Sequence, residues 1–284
     1  MTEACDLSAR DARRMMGNGA LSPVELFDSC RQRIERVNPA VNAIVAERFD
    51  DARKEAEAAE TAIQRGDSLP LLHGLPIGVK DANEVGGLRS TYGSLIYKDN
   101  IPKQDEGLVK AVRGNGAIVM GKSNVPEFGA GGNSFNEVLG VSRNPWNQQR
   151  SPGGSSGGSA AALAAGQVPI ATGSDLGGSL RIPASFCGIV GFRPSPGVVA
   201  KGPDAACFND MSVAGPMARN VPDTALMLDA MAGTDYRDPL SRPKPVVPYL
   251  DDVMTVLGDG SVPRRIGYSP DLGVGPVDAE VDAI

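Results

Sequence analysis

The 284 residues carry 28 Lys and Arg against 34 Asp and Glu, a net charge of −6, and no short segment gathers basic residues, so nucleic acid is excluded as a direct partner. At 41% hydrophobic and 22% charged residues, the chain can bury a sizeable core as one large domain or two small ones. The opening MTEACDLSARDARRMM lacks the basic-then-apolar order of a signal peptide, and no later apolar run is long enough to span a bilayer. A cytoplasmic protein with no membrane partner is expected.

Ser22-Pro23-Val24-Glu25 reads as a capping box with proline at the first helical position. Val24, Phe27, Ile34 and Val37 then recur at helical spacing until Asn38-Pro39 is expected to stop the run. NAIVAE follows as a short strand, and DDARKEAEAAETAIQRG as an amphipathic helix ending at Gly66. PIGVKD, residues 76–81, reads as a buried strand that delivers Lys80 and Asp81 at its C-terminal end. DEGLVKAVRGNG is a helix, AIVMG a buried strand, and VPIATGSD another strand beyond a serine-rich segment. Strands alternating with helices imply an α/β fold around a parallel or mixed sheet. DPLSRPKPVVPY, near residue 245, reads as an exposed connection.

Four cysteines, Cys5, Cys30, Cys187 and Cys207, show no paired metal-ligand spacing, and a chain this long needs no disulfide framework. They are expected to be reduced, Cys187 as a small core residue. The single histidine, His73, leaves a Ser-His-Asp triad open only if it happens to be the base, and its ordinary role is packing or capping a turn. Trp146 in RNPWN is expected to be a packing anchor.

GAIVMGKS, residues 116–123, fits the phosphate-loop pattern of glycine, four residues, then Gly-Lys-Ser. The context argues against that use. A phosphate loop bares its backbone N–H groups, whereas Ala117, Ile118, Val119 and Met120 read as a strand whose N–H groups bond within a sheet. A non-enzymatic nucleotide-binding module therefore rests on this motif alone.

SPGGSSGGSAAALAAG, residues 151–166, has a linker's composition, yet Ser159 leads directly into a short, strongly helical run of small residues. The glycines then read as a tight turn at a helix start that presents Ser155 and Ser156. A second such turn, GSDLGGSLRIP, puts Ser179 after two glycines whose neighbouring N–H groups stay open to approach, as an oxyanion site requires. Two surface loops, and a strand-end lysine paired with Asp81, are the plain alternatives.

Lys80, Ser155 and Ser179 together resemble the amidase signature family, whose catalytic group is a serine, a second serine and a lysine. The resemblance runs from the first helix to about residue 235 through LHGLPIGVKD, GKSNVPEFG, RNPWN, SPGGSSGGSAAALAAG and GSDLGGSLRIPASFCGIVGFRPS, in order. It implies Ser179 as nucleophile, Ser155 as a bridging serine after a cis peptide bond, and Lys80 as base. The backbone N–H groups of Leu176, Gly177, Gly178 and Ser179 are implied as the oxyanion hole, with Ser156, Ser174, Asp175 and Arg181 in support. The implied fold is a mixed central β-sheet flanked by helices on both faces, without cofactor or metal. Family members are longer, so residues 1–284 are expected to be the N-terminal portion of a single domain, with its catalytic core at about 70–235.

The chemistry is consistent with that expectation. A serine hydroxyl needs a base to take its proton, and a neutral lysine serves if burial lowers its ordinary pKa of about 10.4 by roughly 2 to 3 units. The implied reaction is hydrolysis of a carboxylic acid amide through an acyl-enzyme, with a small-molecule amide as substrate and a homodimer allowed. The alternative is the glutaminase component of a glutamyl-tRNA(Gln) amidotransferase, which works with partner chains. VPEFGAGGNSFNEV looks more like the free-standing amidases.

Overall fold

The computed structural model describes residues 3–202, 206–260, 265, 267–269 and 271–283. Helix α1 spans Ala9–Gly17 and α2 spans Pro23–Val41. The capping box forms: Ser22 Oγ accepts the Val24 amide at 3.0 Å, and Glu25 accepts the Ser22 amide at 2.9 Å. Asn38-Pro39 does not stop this helix, because a proline in the last turn forfeits only one intrahelical bond. The stop lies at Asn42, whose left-handed backbone (φ 49°) turns the chain away while the Asn38 side chain accepts the amides of Ala43 and Ile44.

Strand β1 is Ile44–Glu47, shorter than NAIVAE suggested because residues 42 and 43 make that turn. Helix α3 is Phe49–Gln64, β2 is Pro76–Lys80, α4 is Gly107–Gly114 and β3 is Ile118–Ser123. A two-stranded ribbon, β4 at Phe135–Asn136 and β5 at Gly140–Val141, precedes α5 at Gly157–Ala164 and β6 at Ile170–Asp175. Then come α6 (Arg181–Cys187), β7 (Val190–Gly191), β8 (Val213–Ala218), α7 (Val221–Met231), α8 (Tyr249–Asp259) and α9 (Ala279–Asp282).

Among the described residues six strands form one mixed sheet in the order β1-β3-β2-β6-β8-β7. The central strands β3, β2 and β6 run parallel, while β1, β8 and β7 add antiparallel edges. Every residue of β2, β3 and β8 is buried. Side chains alternate between the two faces of a strand, so helices must cover both faces, as expected.

Helix α5 decides whether residues 151–166 form a linker. Every residue from Gly157 to Leu163 is buried, and α5 packs against β2, β3 and β6. Its small residues are what allow that approach: a Cβ on Gly158 would sit on the backbone of Asn124. The segment is core, not linker. Residues 241–248 form no regular structure and are mostly exposed, as the proline spacing implied. No helix among the described residues is long and apolar enough to cross a membrane.

Candidate active site

The parallel pairing of β2 with β6 sets Ile77 beside Ile170 and Gly78 beside Ala171, so the two strands end side by side. Lys80 closes β2, and Ser174 and Asp175 close β6. The first turn of α5 arrives at the same place, carrying Ser155 after a cis Gly154–Ser155 peptide and Ser156 as the N-cap. Lys80 Nζ donates to Ser155 Oγ at 2.8 Å and to the Oγ atoms of Ser156 and Ser174 at 2.9 Å each. Three serines thus satisfy the three donors of an ammonium.

Lys80 is fully buried and does not pair with its neighbour Asp81, so the strand-end alternative fails. Burial pushes its amine down to about 7, against the opposing pull of the Asp175 charge. An amine at that value loses a proton readily near neutrality, and the Ser155, Ser156 and Ser174 hydroxyls all stand within reach of the freed lone pair.

Ser179 lies one turn beyond β6. The Ser156 amide donates to its carbonyl at 3.3 Å, which fastens the Ser179 turn to the Ser155 turn. Ser179 is partly exposed and lines a cleft of about 430 Å³ together with Ser155, Ser174, Leu176, Asn83 and Glu106. Lys80 lies behind that wall, reached through Ser155.

Asp175 organises the turn. Its carboxylate, fully buried, accepts the Gly178 amide at 2.8 Å and the Leu180 amide at 3.2 Å, and pairs with Arg181 and Arg193 at 3.0 Å each. Burial alone would raise its pKa, but the Arg181 pairing and the two amides outweigh it and hold the carboxyl at about 2. One expectation is corrected here. The Gly178 amide is spent on Asp175 and is not open as an oxyanion donor. Among the described residues the amides of Leu176, Gly177 and Ser179 have no protein acceptor, which leaves these three as the candidate donors. Gly178 serves instead through its backbone, whose φ of 115° is a conformation that L side chains rarely adopt.

Arg181 and Asp175, both named as supporting residues, meet as a pair, but Arg193 escaped the sequence reading. It also donates to the Asp175 carbonyl and to the Met211 carbonyl at 2.8 Å, tying the Ser179 turn to the strand that follows Ser212 in the cleft wall. Thr172 escaped as well: its hydroxyl accepts the Lys80 amide at 2.9 Å. Arg193 stands at the end of GSDLGGSLRIPASFCGIVGFRPS and Thr172 in VPIATGSD, but nothing local marks either for this role, and only the fold brings them to the site.

His73 is buried away from the cleft, its Nε2 3.0 Å from the Ala59 carbonyl, and burial lowers its pKa. His73→Ala is therefore expected to leave the pH profile of serine acylation unchanged, measured as the rate of fluorophosphonate labelling between pH 5 and 10. Loss of a rise centred near 6.5 would show that histidine is the base. Trp146 corrects another expectation: it is 73% exposed, tethered by its indole N–H to the Cys187 carbonyl at 2.7 Å rather than packed in the core. Cys187 is fully buried in the core, and the four cysteines are unpaired.

In GAIVMGKS, residues 118–123 are strand β3, paired with β1 and β2, and Lys122 is buried. No backbone cradle for a phosphate exists there.

A lysine amine bonded to two serines of a glycine-rich turn, beside a third serine over a sheet end, is the arrangement the amidase signature implies, and the family model named Amidase matches residues 25–284. The chain belongs to that family. It is 42% identical over 281 residues to an acylamidase of Rhodococcus erythropolis, covering 98% of this chain and 57% of that protein. It is 39% identical to a subunit of the glutamyl-tRNA(Gln) amidotransferase of Anaeromyxobacter, covering 99% and 56%. Among solved structures, a bacterial aryl acylamidase of the amidase signature family superposes with a TM-score of 0.81 at 34% identity, over 84% of this chain and 50% of that one. A peptide amidase of Stenotrophomonas maltophilia gives 0.78 at 31%, over 88% and 53%. The chain spans about half the length of these relatives.

Proposed function

We propose that this chain carries the catalytic centre of an amidase that hydrolyses a small carboxylic acid amide through an acyl-enzyme on Ser179. The observation that carries the reading is the buried Lys80 amine, held near neutrality and bonded to Ser155 at the back of a cleft that Ser155 and Ser179 share. In this reading the Ser179 proton passes to Ser155 as the Ser155 proton passes to Lys80 Nζ. Ser179 Oγ bonds to the amide carbon, and the amides of Leu176, Gly177 and Ser179 hold the developing oxyanion. The C–N bond then breaks as Lys80, through Ser155, returns a proton to the leaving nitrogen. Water, activated by the same relay, releases the acid.

The test is labelling with a fluorophosphonate followed by peptide mapping. Modification is expected at Ser179 alone, because only that serine combines the relay with open amides. Modification at Ser155 or Ser156, or none at any pH, would overturn the assignment.

A second reading follows from the likeness to glutamyl-tRNA(Gln) amidotransferases, which would make ammonia release from glutamine the reaction. Hydrolysis of a simple anilide or aliphatic amide by the purified protein without partners supports the first reading. Copurification of partner chains together with glutamine-only hydrolysis supports the second.

A further inference from the structure

Lys122 and Ser123, the residues that made GAIVMGKS resemble a phosphate loop, are strand residues with no part in the proton relay, yet both are buried beside it. Lys122 Nζ lies 3.3 Å from Asp81 Oδ1, an ion pair in which the lysine side chain is fully buried and the aspartate 1% exposed. Asp81 directly follows the proposed base Lys80 in the chain. Lys122 also donates to Ser90 Oγ at 2.7 Å and to the Asn83 carbonyl, and so pins the segment that leaves β2. Ser123 works from the other side. Its carbonyl accepts the Asp81 amide at 2.9 Å, and its hydroxyl lies 2.6 Å from Ser159 Oγ on the helix that carries Ser155 and Ser156.

From this geometry we infer that Lys122 is a positioning residue for the base: its cation cancels the Asp81 charge beside Lys80, so that Lys80 can be neutral at working pH. A buried, uncompensated carboxylate one residue from the base would favour the ammonium and disable it. The inference rests on the reading of Lys80 as the base.

Other charges around the pair sharpen the expected signs. The Asp175 charge also acts on Lys80, raising its pKa against burial, and the pairing of Asp175 with Arg181 and Arg193 is untouched by changes at Lys122 or Asp81. Glu84 and Glu106 act on Lys122, with Glu106 bonded to Asn83 at 2.6 Å and Tyr92 bonded to Glu84 at 2.9 Å, and Lys201 lies farther along the cleft wall. Asp81 accepts the Thr91 amide at 3.1 Å and the Thr91 hydroxyl at 2.6 Å, contacts that hold the carboxylate in place when its lysine is removed. Burial lowers the Lys122 pKa, and the Asp81 charge is the first of the contacts that oppose it.

The experiment measures the pH midpoint of Ser179 labelling by a fluorophosphonate in the chain and three variants. Lys122→Met is expected to raise the midpoint by about one pH unit, which slows labelling about fivefold at pH 7 and restores it near pH 10. Asp81→Asn, leaving Lys122 uncompensated, is expected to move the midpoint down. The double variant, which removes both charges, is expected to return it to the original value. If Lys122→Met does not fold, the downward shift in Asp81→Asn carries the inference. An unmoved midpoint in the single variants, shifts of the same sign, or loss of the fold in both single variants would reduce the pair to a structural element and overturn it. Absence of labelling in the unaltered chain would instead overturn the proposed reaction.

Discussion

Ser179→Ala is expected to abolish acylation, with loss of fluorophosphonate labelling and a drop in amide hydrolysis on the order of 10⁵-fold or more. The argument is one of supply. Ser155 and Ser156 are buried and already bonded to Lys80, whereas Ser179 is partly exposed in the cleft, with the amides of Leu176 and Gly177 just before it in the same turn. Neither Ser155, Ser156 nor Ser174 can take its place without breaking the contacts that hold Lys80. The protein is expected to remain folded, because the Asp175 bonds to Gly178, Leu180, Arg181 and Arg193 shape the turn and none of them uses the Ser179 side chain. Residual labelling in Ser179→Ala at the original rate would place the nucleophile elsewhere.

Lys80→Arg is expected to lower acylation by on the order of 10³-fold, the range that a general base supplies. With Lys80 titrating at about 7, the neutral base is scarce below that pH and plentiful above it, so the rate for the unaltered chain rises through pH 7 to a plateau. A guanidinium stays charged across this range and cannot accept the Ser155 proton, so the variant has no such rise. Its larger planar head must also fit where three serine hydroxyls converge at 2.8 to 2.9 Å. Lys80→Met tests the same point without the steric load, and equal losses in both variants assign the effect to the base. Near-original rates with an unchanged profile in either variant would exclude the serine-serine-lysine relay.

Ser155, Ser179 and Lys80 were legible as a group through their resemblance to the amidase signature, carried by two glycine-rich turns and an apolar strand that ends in charge; those local signals alone fit surface loops and a strand-end lysine as well. The capping box at Ser22 was legible for the same reason, since all its bonds close within four residues. Asn38-Pro39 misled because a proline's cost depends on where in the helix its missing N–H falls, and the stop was set by the backbone of Asn42. Trp146 misled because aromatic size suggests burial, while the bond that holds it, to the Cys187 carbonyl, joins segments remote in sequence.

What the sequence determined by itself were the local devices: the caps, the period of each strand and helix, and the residue types that a lysine-based acylation needs. These depend on neighbours a few residues away, which the chain order supplies directly. The tertiary structure decided which of two buried lysines is which. Lys80 and Lys122 both sit in apolar strands with a polar residue after them, and only the register Lys80 to Ser123 and Val79 to Lys122 gives one of them three serines and the other Asp81. It also decided that the Gly178 amide goes to Asp175 and that Arg193 joins that carboxylate. The free energy of a buried charge depends on partners brought from distant strands, so the protonation state of each lysine is a property of the folded sheet and not of its motif.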